Sequence, residues 1–265
     1  MSDEKEMNFI DHLEELRWHV IRAIAAVFLF GFAAFYFKDF FFNQLVLGPS
    51  KVNFLTYKLL CQLSTITCID KLNFTIQNRG MTGQFMMHMT YSAVAGLIMA
   101  FPYVFWEIWR FVKPALYNTE QSATRGATFF VSILFSIGVL FGYYVVAPLA
   151  INFLANYQLD PSIENQIDLV SYVSTLVMLV LACGLMFQLP VAVFVLSKIG
   201  VLTPALMRTY RRHAVMIILI VSAIITPSPD MVSQLLVAIP VYFLYEGSVF
   251  VSAYVWKKQT QLIKI

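Results

Sequence analysis

Four histidines (His12, His19, His88, His213), three cysteines and a short roster of carboxylates are the residues through which this chain could do chemistry. The histidines show no metal-ligand spacing, no glycine-rich phosphate cradle is present, and no nucleophile stands beside a base. His88 lies in an apolar run and reads as a packed core residue. Cys183 reads as inert filler, while Cys61 and Cys68 lie close together in a long loop where an oxidising compartment would permit a disulfide. Two charged stretches remain. WRFVKPALYNTE (109–120) mixes Trp109, Phe111, Leu116 and Tyr117 with Arg110 and Lys113, and it ends on Glu120, a lone carboxylate among basic neighbours. Pro114 stops a helix from continuing through it. The stretch reads as a shaped surface, against the alternative that interfacial aromatics only anchor helix ends. In HLEELR (12–17), Glu14 reads as solvated, and the residues leave Glu15 open between a solvated face and a site.

A second polar set sits inside or at the mouths of apolar runs, where such groups are costly in lipid. Gln188 precedes Pro190, Thr226, Asp230 and Gln234 bracket the turn TPSPDMVSQ, and Glu246 interrupts the last run. Singly they read as interhelical hydrogen bonds; as a set they suggest a lined concavity.

The elements that must position these residues follow from composition. The chain has 265 residues, 59% hydrophobic and 12% charged, with 24 Phe and 13 Tyr. That is too apolar for a soluble globular protein and suits a bilayer with aromatic belts. The acidic start (Asp3, Glu4, Glu6) gives no secretory signal, so the first span is expected to be retained. Residues 1–19 are expected as a cytoplasmic amphipathic segment, its surface helix read over Asn8–Val20 with Phe9, Leu13, Leu16 and Val20 on one face and Asp11, Glu14 and Glu15 roughly opposite. The fold class predicted is all-α: one polytopic membrane domain over 1–265, with transmembrane helices at 18–37, 84–106, 126–147, 169–197, 211–225 and 232–255 and a tail at 256–265. The first four have the length to cross about 30 Å of hydrocarbon. The fifth has a short apolar run, 214–225, and the sixth has 231–245 before Glu246, so two adjacent sub-length helices are expected to need a neighbour.

Basic residues orient the chain. Thirteen of the 18 Lys and Arg fall in alternate segments shared with both termini, and the other five (Lys38, Lys51, Lys58, Lys71, Arg79) lie in the long first loop on the opposite side. Both termini are therefore expected in the cytoplasm.

FIDHLEELR (9–17), FVKPALYNTE (111–120), FQLPV (187–191), TPSPDMVSQ (226–234) and IPVYFLYE (239–246) occur in this order on six apolar runs. With these motifs the chain resembles TatC, the core receptor subunit of the twin-arginine protein translocase, along nearly its whole length. The resemblance implies a curved, glove-like bundle in a cytoplasmic (inner) membrane, an organellar membrane being the lesser candidate. It implies binding of twin-arginine signal peptides, recruitment of single-span TatA/TatB-type proteins, self-association in a receptor complex, and export of folded proteins using the proton-motive force. No enzymatic activity, metal, cofactor or nucleic-acid partner is implied. It assigns signal contact to Glu15 and Glu120, supported by Phe111, Pro114 and Leu116. Thr226 and Gln234 match the polar site where partner helices dock. Gln188 takes the family's intramembrane Glu/Gln position in its neutral form, which argues against proton carriage there. Pro49 matches a loop proline and Asp230 the external turn acid; the turn is one residue longer than a simple TPPD pattern. Two carboxylates at one cytoplasmic mouth suit a pair of guanidinium groups, which carboxylates bind bidentately. The competing reading, a secondary transporter or channel for a small solute, expects repeated halves with broken helices, and no such repeat is evident. An intramembrane hydrolase lacks its nucleophile and base.

Overall fold

The computed structural model describes residues 9–63, 74–112, 124–160, 165–226 and 231–263. Pro114, Leu116, Glu120, Asp230 and Cys68 lie outside these. The described elements are α1 (Phe9–Tyr36), a single turn α2 (Lys38–Phe40), α3 (Leu55–Leu63), β1 (Phe74–Gln77), α4 (Gly83–Val112), α5 (Thr124–Phe141), α6 (Ala147–Asn156), β2 (Asn165–Asp168), α7 (Leu169–Met186), α8 (Leu189–Lys198), α9 (Pro204–Thr209), α10 (Arg211–Ile225) and α11 (Met231–Ile263). Among the described residues, five stretches are long and apolar enough to cross a membrane: Glu14–Tyr36, Gly83–Phe111, Thr128–Asn156, Leu169–Lys198 and Ser233–Lys257. α10 is the sixth apolar helix, and its 15 residues reach only about 22 Å.

Three features differ from the sequence reading. The amphipathic segment is not a separate surface helix: α1 runs unbroken from Phe9 into the span, because no glycine or proline interrupts it before Gly31. The third span does not stop near Pro148. A π-helical turn at Gly142–Val146 precedes α6, which carries Pro148 in its first turn, where a missing backbone N–H costs little. Glu246 does not interrupt the last span either, since α11 is continuous for 33 residues into the expected tail. Its carboxylate is held by Arg211 Nη2 at 2.7 Å and by the Tyr242 hydroxyl at 3.1 Å, which compensates the charge in place. Only α10 of the two adjacent helices is short.

Among the described residues, β1 and β2 form a small two-stranded sheet, which the sequence reading did not anticipate. β1 and β2 pair in parallel, Phe74 opposite Asn165 through Gln77 opposite Asp168. Asp168 then caps α7 by accepting from the Val170 amide at 3.2 Å, and it accepts from the Arg79 amide at the same distance.

The chain forms two compact units, residues 1–38 with 88–133, and residues 39–87 with 134–265. In the first, α1 and α4 cross where Gly96 meets Gly31: a Cβ on Gly96 would lie 2.5 Å from the Gly31 amide nitrogen and 2.7 Å from the Val27 carbonyl oxygen. Nearby, His88 stacks on Phe35 at 3.9 Å between ring centroids and hydrogen-bonds the Phe35 carbonyl, a packed histidine.

In the second unit, Tyr57 is buried and donates to both the Pro49 and Pro148 carbonyls, at 2.9 and 3.1 Å. Tyr172 donates to Val46 and Tyr143 to Leu45. α8 packs on α11 through Val193 and Val249, with Ser197 donating to Ser252 at 2.8 Å. Gly200 ends α8 at φ 79°, a left-handed turn open to glycine without strain.

Candidate functional site

The first unit contains a charged cluster that sequence reasoning passed over. Glu107 sits on α4 about one turn inside its end, only 1% exposed, and His19 on α1 is 7% exposed. Helical spacing explains the placement: Glu107 is four residues before Phe111, so the two share a face. His19 Nδ1 hydrogen-bonds Glu107 Oε2, joining residues 88 apart in sequence. The other ring nitrogen, Nε2, lies 3.9 Å from Glu15 Oε1, one helical turn back on α1. The Glu15 side chain is 40% exposed, so one end of this chain of groups is buried and the other reaches the surface. Tyr103 turns its hydroxyl toward Glu107, and Arg22 acts on the same carboxylate electrostatically. Phe111 lies 6.2 Å from the imidazole, ring to ring. Arg110 stands over the Trp106 ring at 5.5 Å, and Phe105 stacks with Trp109.

A buried carboxylate with no partner would be strongly disfavoured, so the His19 contact is what permits Glu107 at this depth. The sequence offered one signal for it, a carboxylate inside a span that must find a partner. Of the expected signal-contact residues, the described unit brings together Glu15 and Phe111. Among the described residues, no group of three or more His, Cys, Asp or Glu could hold a metal ion.

Two of the polar residues around the α10–α11 turn are bonded inside the chain. Thr226 is buried and donates to the Ser222 carbonyl at 3.0 Å; Gln234 donates to the Leu219 carbonyl at 2.9 Å. The first closes the last turn of α10; the second ties α11 to α10 and leaves the carbonyl oxygen of the Gln234 amide as a further acceptor. Gln188 lies at the break between α7 and α8, where Pro190 follows and the Gln188 carbonyl accepts from the Val191 and Ala192 amides at 3.0 Å. Pro49 is buried with its carbonyl bonded to Tyr57. Cys61 is disulfide-bonded and Cys183 is free and buried.

A multi-span α-helical membrane protein with a charged, half-open cluster at one helix end is the class these features define. The TatC family, described as Sec-independent protein translocase protein, matches residues 11–240. A protein of that description from Blattabacterium sp. subsp. Periplaneta americana (strain BPLAN) is 36% identical over 98% of this chain and all of its own length. Another from Aquifex aeolicus (strain VF5) is 32% identical, over 97% of this chain and all of its own. A crystal structure titled as the twin arginine translocase receptor TatC in DDM superposes with a TM-score of 0.75 at 30% identity, covering 91% of this chain and 99% of that one. The chain belongs to the TatC family of Sec-independent protein translocases.

Proposed function

We propose that this chain is the receptor subunit of a twin-arginine translocase: it binds signal peptides bearing two arginines at its cytoplasmic face and recruits single-span TatA/TatB-type proteins. The complex exports folded proteins across a bacterial cytoplasmic membrane using the proton-motive force, and the chain itself carries no enzymatic chemistry. The observation that carries the reading is the half-exposed Glu15, which stands beside a buried pair of His19 on α1 and Glu107 on α4, the helix that leads into FVKPALYNTE. Glu120 follows the last described residue of α4 by eight positions and supplies the second carboxylate. A guanidinium meets a carboxylate with two parallel N–H bonds, which an ammonium cannot reproduce. Two such sites select an arginine pair over a lysine pair. Phe111, Pro114 and Leu116 form the apolar support. The matched crystal structures are of a protein described as a twin-arginine translocase receptor, which supports the same reading.

Partner docking is assigned to the short α10 and the start of α11. A 15-residue helix leaves hydrophobic mismatch that a neighbouring single span relieves, and Thr226, Gln234 and Gln188 supply polar contacts on that side. Asp230 and Pro49 shape the external loops, and Cys61 pairs with Cys68.

The test is affinity for a synthetic twin-arginine signal peptide. Glu120→Ala and Glu15→Ala should each weaken binding by about tenfold, equivalent to about 1.4 kcal/mol, with insertion intact. Unchanged affinity in both variants contradicts the assignment.

A further inference from the structure

We infer that His19 is a positioning residue for Glu15, braced by the buried Glu107, and that it holds the Glu15 carboxylate only while its imidazole is protonated. The inference deepens the proposed reading of Glu15 as a signal contact. It starts from the ring's two nitrogens, which face two different carboxylates: Nδ1 is bonded to Glu107 Oε2, and Nε2 stands 3.9 Å from Glu15 Oε1. A neutral imidazole carries one N–H, a protonated one carries two. An ionised Glu107 is an acceptor only, so it fixes the single proton of a neutral ring on Nδ1. Nε2 then presents a bare lone pair to the Glu15 carboxylate, which is unfavourable. With the second proton in place both carboxylates face donors, and Glu15 is drawn to a defined position.

The 3.9 Å separation is too long for a hydrogen bond, so Glu15 is held by charge and keeps its oxygens available to a guest. The groups facing His19 are Glu15 on α1 and Glu107 on α4, with the Phe111 ring beside it; behind them Tyr103 and Arg22 act on Glu107, and Arg22 and Arg110 on Tyr103. Glu107 is the contact partner and offsets the imidazolium, which leaves Glu15 as the outward-facing negative charge. An ion pair serving the core alone would seal both nitrogens inside; here one points to a surface carboxylate. Loss of the ring's second proton as pH rises removes the donor that faces Glu15, so the hold is expected to loosen with rising pH.

The experiment uses the full chain in detergent or nanodiscs and has two arms. In the first, without peptide, carbon-13 NMR follows the Glu15 side-chain carboxyl from pH 5.5 to 8.5 while nitrogen-15 NMR follows the His19 ring. The Glu15 signal should shift together with His19 titration in the wild type and stay flat through that range in His19→Arg and His19→Gln. A Glu15 signal that ignores His19 overturns the inference, whatever the peptide does. In the second arm, wild-type affinity for a twin-arginine peptide should fall two- to fivefold from pH 6 to pH 8, the range of a partly exposed ion pair. His19→Arg should bind tightly at both values, because its charge does not titrate and its fork spans two carboxylates; His19→Gln should bind weakly at both. Glu14→Ala, on an exposed neighbour, should follow the wild-type profile. Superimposable profiles for wild type and His19→Arg, or a reversed slope, overturn the inference. Glu15→Ala and Glu120→Ala run alongside: if both bind as wild type, the reading of the site fails, and the NMR arm alone decides the positioning.

Discussion

In the unit of residues 1–38 and 88–133, α1 and α4 meet through a buried imidazole and carboxylate at one end and through glycine backbone at the crossing. In the unit of residues 39–87 and 134–265, the buried contacts described above are neutral: tyrosine and serine hydroxyls donate to carbonyls or to each other, and the Arg211–Glu246 ion pair is partly exposed. The difference separates two uses of polarity in lipid. Hydroxyl bonds add small, local increments and leave no charge behind when lost. A buried ion pair adds little net stability over apolar packing, yet breaking it is costly, so its retention points to a role other than holding helices together.

The largest effect should come from Gly96→Val. Its side chain would drive into the Gly31 backbone and the Val27 carbonyl, neither of which can turn aside, so a loss of about 4 kcal/mol or failure to insert is expected. Thermal unfolding in detergent and membrane yield measure it; a variant that unfolds like the wild type would mean α1 and α4 do not cross here. Next, Glu107→Ala leaves His19 buried opposite nothing and should cost about 3 kcal/mol, whereas the double replacement His19→Leu with Glu107→Leu should recover most of it. If the double variant is as unstable as the single, the pair is structural, and the contrast between the two units is lost.

Tyr57→Phe removes two hydroxyl bonds, to Pro49 and Pro148, and should cost about 1–2 kcal/mol. Burial pushes the Tyr57 phenol above its ordinary value, so the folded state holds that proton more tightly than the unfolded chain. Its contribution is therefore full below about pH 10 and declines above it, and the alkaline limb of stability against pH should flatten in the variant. Smallest is Ser252→Ala, which loses one hydroxyl pair with Ser197 and should cost about 0.6 kcal/mol.

Much of this architecture is legible in the chain because lipid enforces it: a span must be apolar over its length, and the runs from 84, 126 and 169 say so without reference to any partner. What stays hidden depends on pairs far apart in sequence. Glu246 reads as an interruption because nothing near it reveals Arg211, 35 residues earlier, as its counter-ion. β1 and β2 are four residues each and pair across a long separation, so neither shows a usable alternation. His19 has an acid one turn back, a visible i,i+4 spacing, but its main partner lies 88 residues away. At the candidate site, Glu15 and Phe111 were readable through motif resemblance, while the imidazole and carboxylate beside them were not.

The central claim is that this chain reads two arginines through carboxylates at its cytoplasmic mouth. Photocrosslinking of the full chain to a synthetic signal peptide, with the arginine pair or a lysine pair in otherwise identical sequence, tests it most directly. The account predicts strong capture of the arginine peptide and at least about tenfold less of the lysine peptide, since an ammonium cannot reproduce the paired bonds. Equal capture of both peptides would contradict it.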